Sequence, residues 1–194
     1  MLPRKDMLVY AALLAACALV VVLSIQQRNL RADYDALALA GLEPQIGSWI
    51  PTATGSTATG ETLQLGQASQ RRQVLYFFDP ECAQCEATTP AIRSVVEALK
   101  RGEYPGAEIY GIGTGVGSVV PAYARSHGLD FPVAYSTSKI RTLFSVSVVP
   151  LVIVVDNDSR VLYSHAGKLV TREEVASLMS ALRIQEGKAT GPSK

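Results

Sequence analysis

The sequence predicts an α/β sandwich built on one mixed central sheet and preceded by a single apolar N-terminal helix. Three observations predict it. From Gln73 onward, short runs of β-forming residues alternate with stretches of helical periodicity. The alternation closes with two strands joined by a tight turn and one last capped helix, so the sheet must contain both strand directions. Residues 7–25, MLVYAALLAACALVVVLSI, carry no charge.

At 1.5 Å per residue the run 7–25 measures about 28 Å, close to the roughly 30 Å of a bilayer's hydrocarbon core. A buried core helix would show a polar face, and this run has none, so it reads as a transmembrane anchor. Arg4, Lys5 and the amino terminus precede it, while Arg28 and Arg31 follow. Taking the amino terminus as cytoplasmic makes 1–6 a cytoplasmic tail. The chain is then single-pass in a bacterial inner (cytoplasmic) membrane, its main domain facing the periplasm or the cell exterior. Leu14-Ala15-Ala16-Cys17 offers a second reading, a lipobox with lipidation at Cys17 after cleavage. The apolar run continues past Cys17 to Ile25, where lipoproteins turn polar, which favours the uncleaved anchor. Either reading tethers the same domain outside the cytoplasm.

Residues 26–43 form a juxtamembrane linker, 44–185 the folded domain and 186–194 a flexible C-terminal tail. PTATGSTATGETLQL (51–65), rich in Thr and Gly, suits short strands and a hairpin. QVLYFFD (73–79) is a continuous apolar run of the kind that forms a central strand buried on both faces. Ala83 to Lys100 places Ile92, Val95, Val96 and Leu99 on one helical face, with a kink or a fresh start expected at Pro90. EIYGIG (108–113) is a second strand, Val119 to His127 a short helix, FPVAYS (131–136) a weaker strand and Lys139 to Phe144 another short helix. LVIVVD (151–156), the turn NDS and RVLYSH (160–165) form a hairpin. Thr171 then caps a helix to about Leu182, with Glu174 in capping-box position.

Nearly half of the 194 residues are hydrophobic, enough for a real core, which sets aside the disordered and disulfide-scaffold classes. The net charge of +1 and the absence of a basic stripe interleaved with aromatics give nucleic-acid binding no support.

The chemistry sits in FFDPECAQCEATTP (77–90), which holds two of the three cysteines, Cys82 and Cys85. The pair follows a buried strand and opens a helix. Free amide N–H groups and the macrodipole at a helix N-terminus stabilise an anion, so a thiol there ionises more easily. Thiolate is the species that attacks disulfides. Cys85, one turn further along the same face, can then displace the mixed disulfide formed on Cys82. A zinc site would need four ligands, and only Cys17, His127 and His165 remain to complete it. A structural disulfide closing so short a loop removes little chain entropy. Redox exchange is therefore the favoured use, with Cys82 as nucleophile and Cys85 as resolving thiol, and with no metal and no cofactor beyond the disulfide itself.

Strand, C-x-x-C at a helix start and a proline five positions on resemble the thioredoxin fold. Val149-Pro150 directly before strand 151–156 is its second hallmark. The resemblance implies a cis Pro150 opposite the cysteines, keeping metal from them, and a Val149 backbone that pairs with a substrate strand. The anchor, the lead-in IGSWIP…GETLQL (46–65), the run 146–150 and the hairpin LVIVVDNDSRVLYSHAG are similar to the membrane-anchored TlpA/ResA-like group. That group implies a protein-disulfide reductase fed by a transmembrane thiol donor. Its clients would be disulfide-containing proteins of cytochrome c maturation or copper-site assembly. A DsbA-type oxidant or isomerase, or a Cu(I) metallochaperone using the cysteine pair, are the alternatives.

This sequence departs from the family pattern around the pair. Glu81 stands where Trp usually precedes the first cysteine, Thr88 where many relatives carry glutamate, and Tyr76 where thioredoxin buries an acid. The proton-transfer candidates that remain are Asp79, Glu81 and Glu86. Several other features are expected to be plain. YGIGTGVGS (110–118) lacks a G-x-G-x-x-G register and reads as a strand-to-helix loop. Asp156-Asn-Asp-Ser fails the calcium-loop pattern at Val161 and Gly167 and reads as a hairpin turn. Trp49 is expected to pack, and His165 to be half-exposed. No T-x-x-C signature points to a peroxidase.

Overall fold

The computed structural model describes residue 17, residues 19–27 and residues 43–183. The chain divides into two units, Met1–Gly41 and Leu42–Lys194. In the first, residues 19–27 are helical, and Cys17 is exposed. Most of the expected anchor at 7–25, the tail 1–6, most of the linker 26–43 and the segment 186–194 lie outside the described residues. Among the described residues, no helix is long and apolar enough to cross a membrane.

The second unit begins with a hairpin, β1 (Ala53–Ser56) and β2 (Thr62–Leu65), paired antiparallel as a separate two-stranded sheet. The main sheet is made by β3 (Arg72–Phe78), β4 (Ala107–Gly113), β5 (Val133–Tyr135), β6 (Leu151–Asp156) and β7 (Val161–Ala166), in the order β5-β4-β3-β6-β7. β3 runs parallel to β4 and antiparallel to β6, so the sheet is mixed, as its sequence pattern predicts. A strand with partners on both edges and layers on both faces must be apolar throughout. Accordingly, every residue of β3 from Gln73 to Phe78 is buried.

One face of the sheet, with Val74, Tyr76, Phe78, Val152 and Val154, packs against three helices. These are α1 (Ala83–Lys100), α2 (Val119–Ser126) and α4 (Arg172–Leu182), which contribute Ile92 and Val95, Tyr123, and Leu178 respectively. On the opposite face Phe77 meets Phe144, just beyond α3 (Ser138–Leu143), with ring centroids 5.7 Å apart. Alternation along β3 thus feeds two cores from one strand. α4 starts with the expected capping box, Thr171 Oγ1 accepting from Glu174 N and Glu174 Oε2 accepting from Thr171 N.

Two local expectations are corrected. α1 does not restart at Pro90 but runs through it from Ala83 to Lys100. Proline cannot satisfy the carbonyl four residues earlier, but here both Pro90 and Glu86 are exposed, so that loss falls on the solvent side of the helix. Trp49 is not a packing residue. It is 70% exposed, with the Arg160 guanidinium carbon 5.6 Å from the ring centroid. The turn after β6 is set by Asp156, whose Oδ1 accepts from the amides of Asp158 and Arg160.

Gly66 ties the hairpin to the main sheet. Its N–H donates to Oε1 of the buried Gln73 at 2.8 Å, and its φ of +87° lies in the left-handed region. A Cβ there would stand 2.7 Å from the Pro51 carbonyl oxygen and 2.9 Å from Phe144 Cε1. Backbone oxygen cannot swing away, so strain and overlap add. Gly66→Ala is expected to cost on the order of 2–4 kcal/mol, read as a drop in the urea midpoint at unchanged slope.

Candidate active site

The end of β3 sets the site. The chain leaves the sheet at Phe78, turns through Asp79 and Pro80, and enters α1 with Cys82 as its N-cap residue. Asp79 shapes this turn. Its Oδ1 accepts from Glu81 N at 2.9 Å, and its carbonyl accepts from Cys82 N at 3.1 Å. The Cys82 carbonyl then accepts from Cys85 N and Glu86 N at 3.0 and 3.2 Å, the first links of α1.

The two thiols are free and sit in different surroundings. Cys82 is half-buried, and its thiol donates to the Val149 carbonyl across 3.7 Å. Cys85 is fully buried, and burial pushes its thiol up to about 12. The main opposing influence is the Asp79 amide, which donates to Cys85 Sγ at 3.5 Å, while the neighbouring Cys82 adds to the rise. Exposure and helix position make Cys82 the sulfur a disulfide can reach, and Cys85 the sulfur held behind it.

The Val149–Pro150 peptide is cis. β6 begins at Leu151 and pairs antiparallel with β3, which brings Val149 beside Cys82. Among the described residues, the Val149 N–H makes no hydrogen bond, so this edge is open to another strand. The β4-to-α2 loop closes the same end, because Thr114 N donates to the Phe78 carbonyl at 2.9 Å. It is the plain strand-to-helix connection its sequence indicates, with Val116 fully outward.

The three proton-transfer candidates separate. Glu81 and Glu86 are exposed, one on each side of the cysteine pair, so neither is a buried carboxylate beneath it. Asp79 is half-buried and is the one in contact with Cys85, through its amide. The positions where the thioredoxin resemblance implies acids have other work here. Thr88 is fully buried, and its Oγ1 donates to the Gln84 carbonyl and accepts from Leu169 N at 3.0 Å, joining α1 to the segment before α4. Tyr76 donates to the Cys85 carbonyl at 3.2 Å, as does Thr89. Burial holds the Tyr76 phenol far above its ordinary range, so it serves only as a donor.

One residue escaped the sequence reading. Tyr123 of α2 stacks on Phe78 with centroids 5.2 Å apart, and its buried hydroxyl has no hydrogen-bond partner among the described residues. Only its apolar spacing within a short helix marked it, which looks the same as ordinary core. His165 is half-exposed, as expected, and its Nε2 lies 3.1 Å from the Lys168 carbonyl.

With this geometry in place, comparison with known proteins is informative. The family described as AhpC/TSA matches residues 46–164. A methylamine utilization protein, MauD, from Methylophilus methylotrophus is 27% identical over 96% of this chain and 85% of its own length. Among solved structures, the thioredoxin domain of a thiol-disulfide oxidoreductase from Bacteroides vulgatus superposes with a TM-score of 0.61 at 17% identity. That superposition covers 72% of this chain and 99% of the other. A secreted Mycobacterium tuberculosis disulfide oxidoreductase homologous to the Escherichia coli DsbE gives 0.54 at 18% identity, covering 67% and 93%. The α/β fold with its mixed sheet is thioredoxin-like.

Proposed function

This chain belongs to the AhpC/TSA family, and we propose that it is a thiol–disulfide oxidoreductase that reduces disulfides in client proteins outside the cytoplasm, through Cys82 and Cys85, while tethered to the membrane by residues 7–25. The observation that carries this reading is the half-buried Cys82 thiol at the N-cap of α1, facing the open Val149 main chain with Cys85 buried behind it.

The Cys82 thiolate attacks one sulfur of the client disulfide. A Cys82–client bond forms, the client S–S bond breaks, and the leaving thiolate takes a proton from solvent. Cys85 then attacks Cys82 Sγ, giving up its own proton and freeing the second client thiolate. Two electrons have passed to the client, and Cys82 and Cys85 are left as a disulfide. The Val149 backbone positions the client as an added strand.

The oxidised pair needs a reductant, and an oxidising compartment does not supply one, so a transmembrane thiol carrier is the matching electron donor. Resemblance to the TlpA/ResA-like group points to disulfides of cytochrome c maturation or copper-site assembly as the client class. The relative's name adds methylamine utilization as a setting for such a client.

The test is the reduction potential of the detergent-solubilised chain, equilibrated in dithiothreitol buffers and trapped by alkylation. A two-electron couple at or below about −250 mV supports a reductant, while a value near about −120 mV makes the protein an oxidant of DsbA type. Stoichiometric copper with no reversible couple would replace both with a metallochaperone. The tether is checked separately, by retention of the chain in membranes after an alkaline carbonate wash.

A further inference from the structure

The nucleophile opens among carboxylates. Glu81 is bonded directly to Cys82, Glu86 directly to Cys85, and Asp79 forms the turn before them. Glu81 and Glu86 are exposed. Among the described residues, the ion pairs are those of Lys100 with Glu97 and Asp130 and of Arg101 with Glu103, so none of the three acids at the site is neutralised by one. In α3, the Arg141 guanidinium is turned to the Val146 carbonyl at 3.5 Å. Lys168 is exposed at the same end of the sheet, between Gly167, whose N–H donates to the Pro150 carbonyl, and Leu169, whose N–H donates to Thr88 Oγ1, and three carboxylates outnumber it.

Glu81 and Glu86 are exposed next to the two cysteines in the chain, so a client disulfide that meets Cys82 Sγ and the Val149 main chain brings its flanking residues near them. Charges a few ångströms apart change such an encounter severalfold even in water, and a like charge repels by as much as an opposite one attracts. We propose that this rim sets specificity. Its partner is an extended protein segment whose disulfide is flanked by Lys or Arg, and anionic disulfides are turned away. The inference rests on Cys82 being the nucleophile of the reading above. It adds the charge of the substrate that this nucleophile accepts.

The test presents three small disulfides to the reduced full-length protein in neutral detergent: cystamine (dicationic), bis(2-hydroxyethyl) disulfide (neutral) and dithiodipropionate (dianionic). Single-turnover rates are taken by acid quench and mass spectrometry. Each is divided by that disulfide's rate with free 2-mercaptoethanol, which removes differences in intrinsic reactivity. The expected order is cation, neutral, anion, spanning roughly tenfold or more at low ionic strength. That span should collapse in about 1 M salt, where the Debye length is about 3 Å. The double variant Glu81→Gln, Glu86→Gln should lose most of the span, and Glu81→Lys should shift it towards the anion.

Equal normalised rates, or a span that salt and both variants leave unchanged, would overturn the specificity claim while the oxidoreductase stands. No reaction of Cys82 with any of the three would overturn the oxidoreductase reading itself.

Discussion

Cys82→Ser is expected to lose client reduction by at least about a hundredfold, down to the background of the added reductant, because a serine hydroxyl is a far weaker nucleophile than a thiol at neutral pH. Cys85→Ser should behave differently. The first attack survives, since Cys82 keeps its half-exposed position and its place at the N-cap of α1. Turnover then stops at the mixed disulfide, because no second thiol is left to displace it. Mass spectrometry of the Cys85→Ser protein mixed with a disulfide peptide should show a stable adduct on Cys82. Neither substitution should unfold the chain. Cys82 is half-buried, and the Cys85 site already holds a hydrogen-bond donor in the Asp79 amide that a serine hydroxyl can meet. An adduct on Cys85 with Cys82 unmodified would reverse the two roles. Full turnover by Cys82→Ser would remove the pair from the chemistry.

What the chain discloses without coordinates follows from how local each cause is. QVLYFFD and LVIVVD read as buried strands because a strand covered on both faces needs an unbroken apolar run, and β3 and β6 lie on those residues. The Thr171 and Glu174 capping box is local too, and it formed as read. The cis Val149–Pro150 peptide came through the family resemblance, since spacing alone does not select an isomer. The misreadings concern which side of an element meets water. Trp49 was expected inside because large aromatics usually pack, but its bridge to Arg160 puts one ring face under a guanidinium and the rest outward. Of the kink or fresh start expected at Pro90, the fresh start does not occur, because α1 is one helix with Pro90 on its exposed side. Asp79, Glu81 and Glu86 look equivalent as a string of acids. Only the turn into α1 separates the half-buried Asp79 from the two on the surface. Thr88 gave no sign of its bond to Leu169, because the two lie far apart in the chain.

The resolving step is expected to be strongly pH-dependent. Cys85 attacks as thiolate, yet burial, the largest cause of its raised pKa and one that capping Cys82 leaves in place, holds it well above the ordinary 9.0. The thiolate fraction far below a pKa rises about tenfold per pH unit, so Cys85 attack should accelerate roughly a thousandfold from about pH 7 to about pH 10 without levelling. The experiment loads Cys82 with 2-nitro-5-thiobenzoate as a mixed disulfide and follows release of the coloured thiol by stopped flow across that range. The unbroken rise is expected because, among the described residues, no carboxylate is fully buried beneath the pair: Glu81 and Glu86 are exposed, Thr88 and Tyr76 hold the positions where the thioredoxin resemblance implies acids, and Asp79 meets Cys85 through its amide. A plateau at a much lower pH would show a base accepting the Cys85 proton, and its loss in Asp79→Asn would name that base. Linkage gives the same shift a second consequence of fixed sign. Between 9.0 and about 12 the folded reduced protein keeps a proton that the unfolded chain has released, so Cys85 stabilises the reduced fold fully below 9.0 and progressively less as pH rises towards 12. Cys85→Ala lacks that proton. The stability of the reduced wild type should therefore fall faster than that of the variant above pH 9, and equal slopes would mean that Cys85 ionises in the fold as easily as outside it.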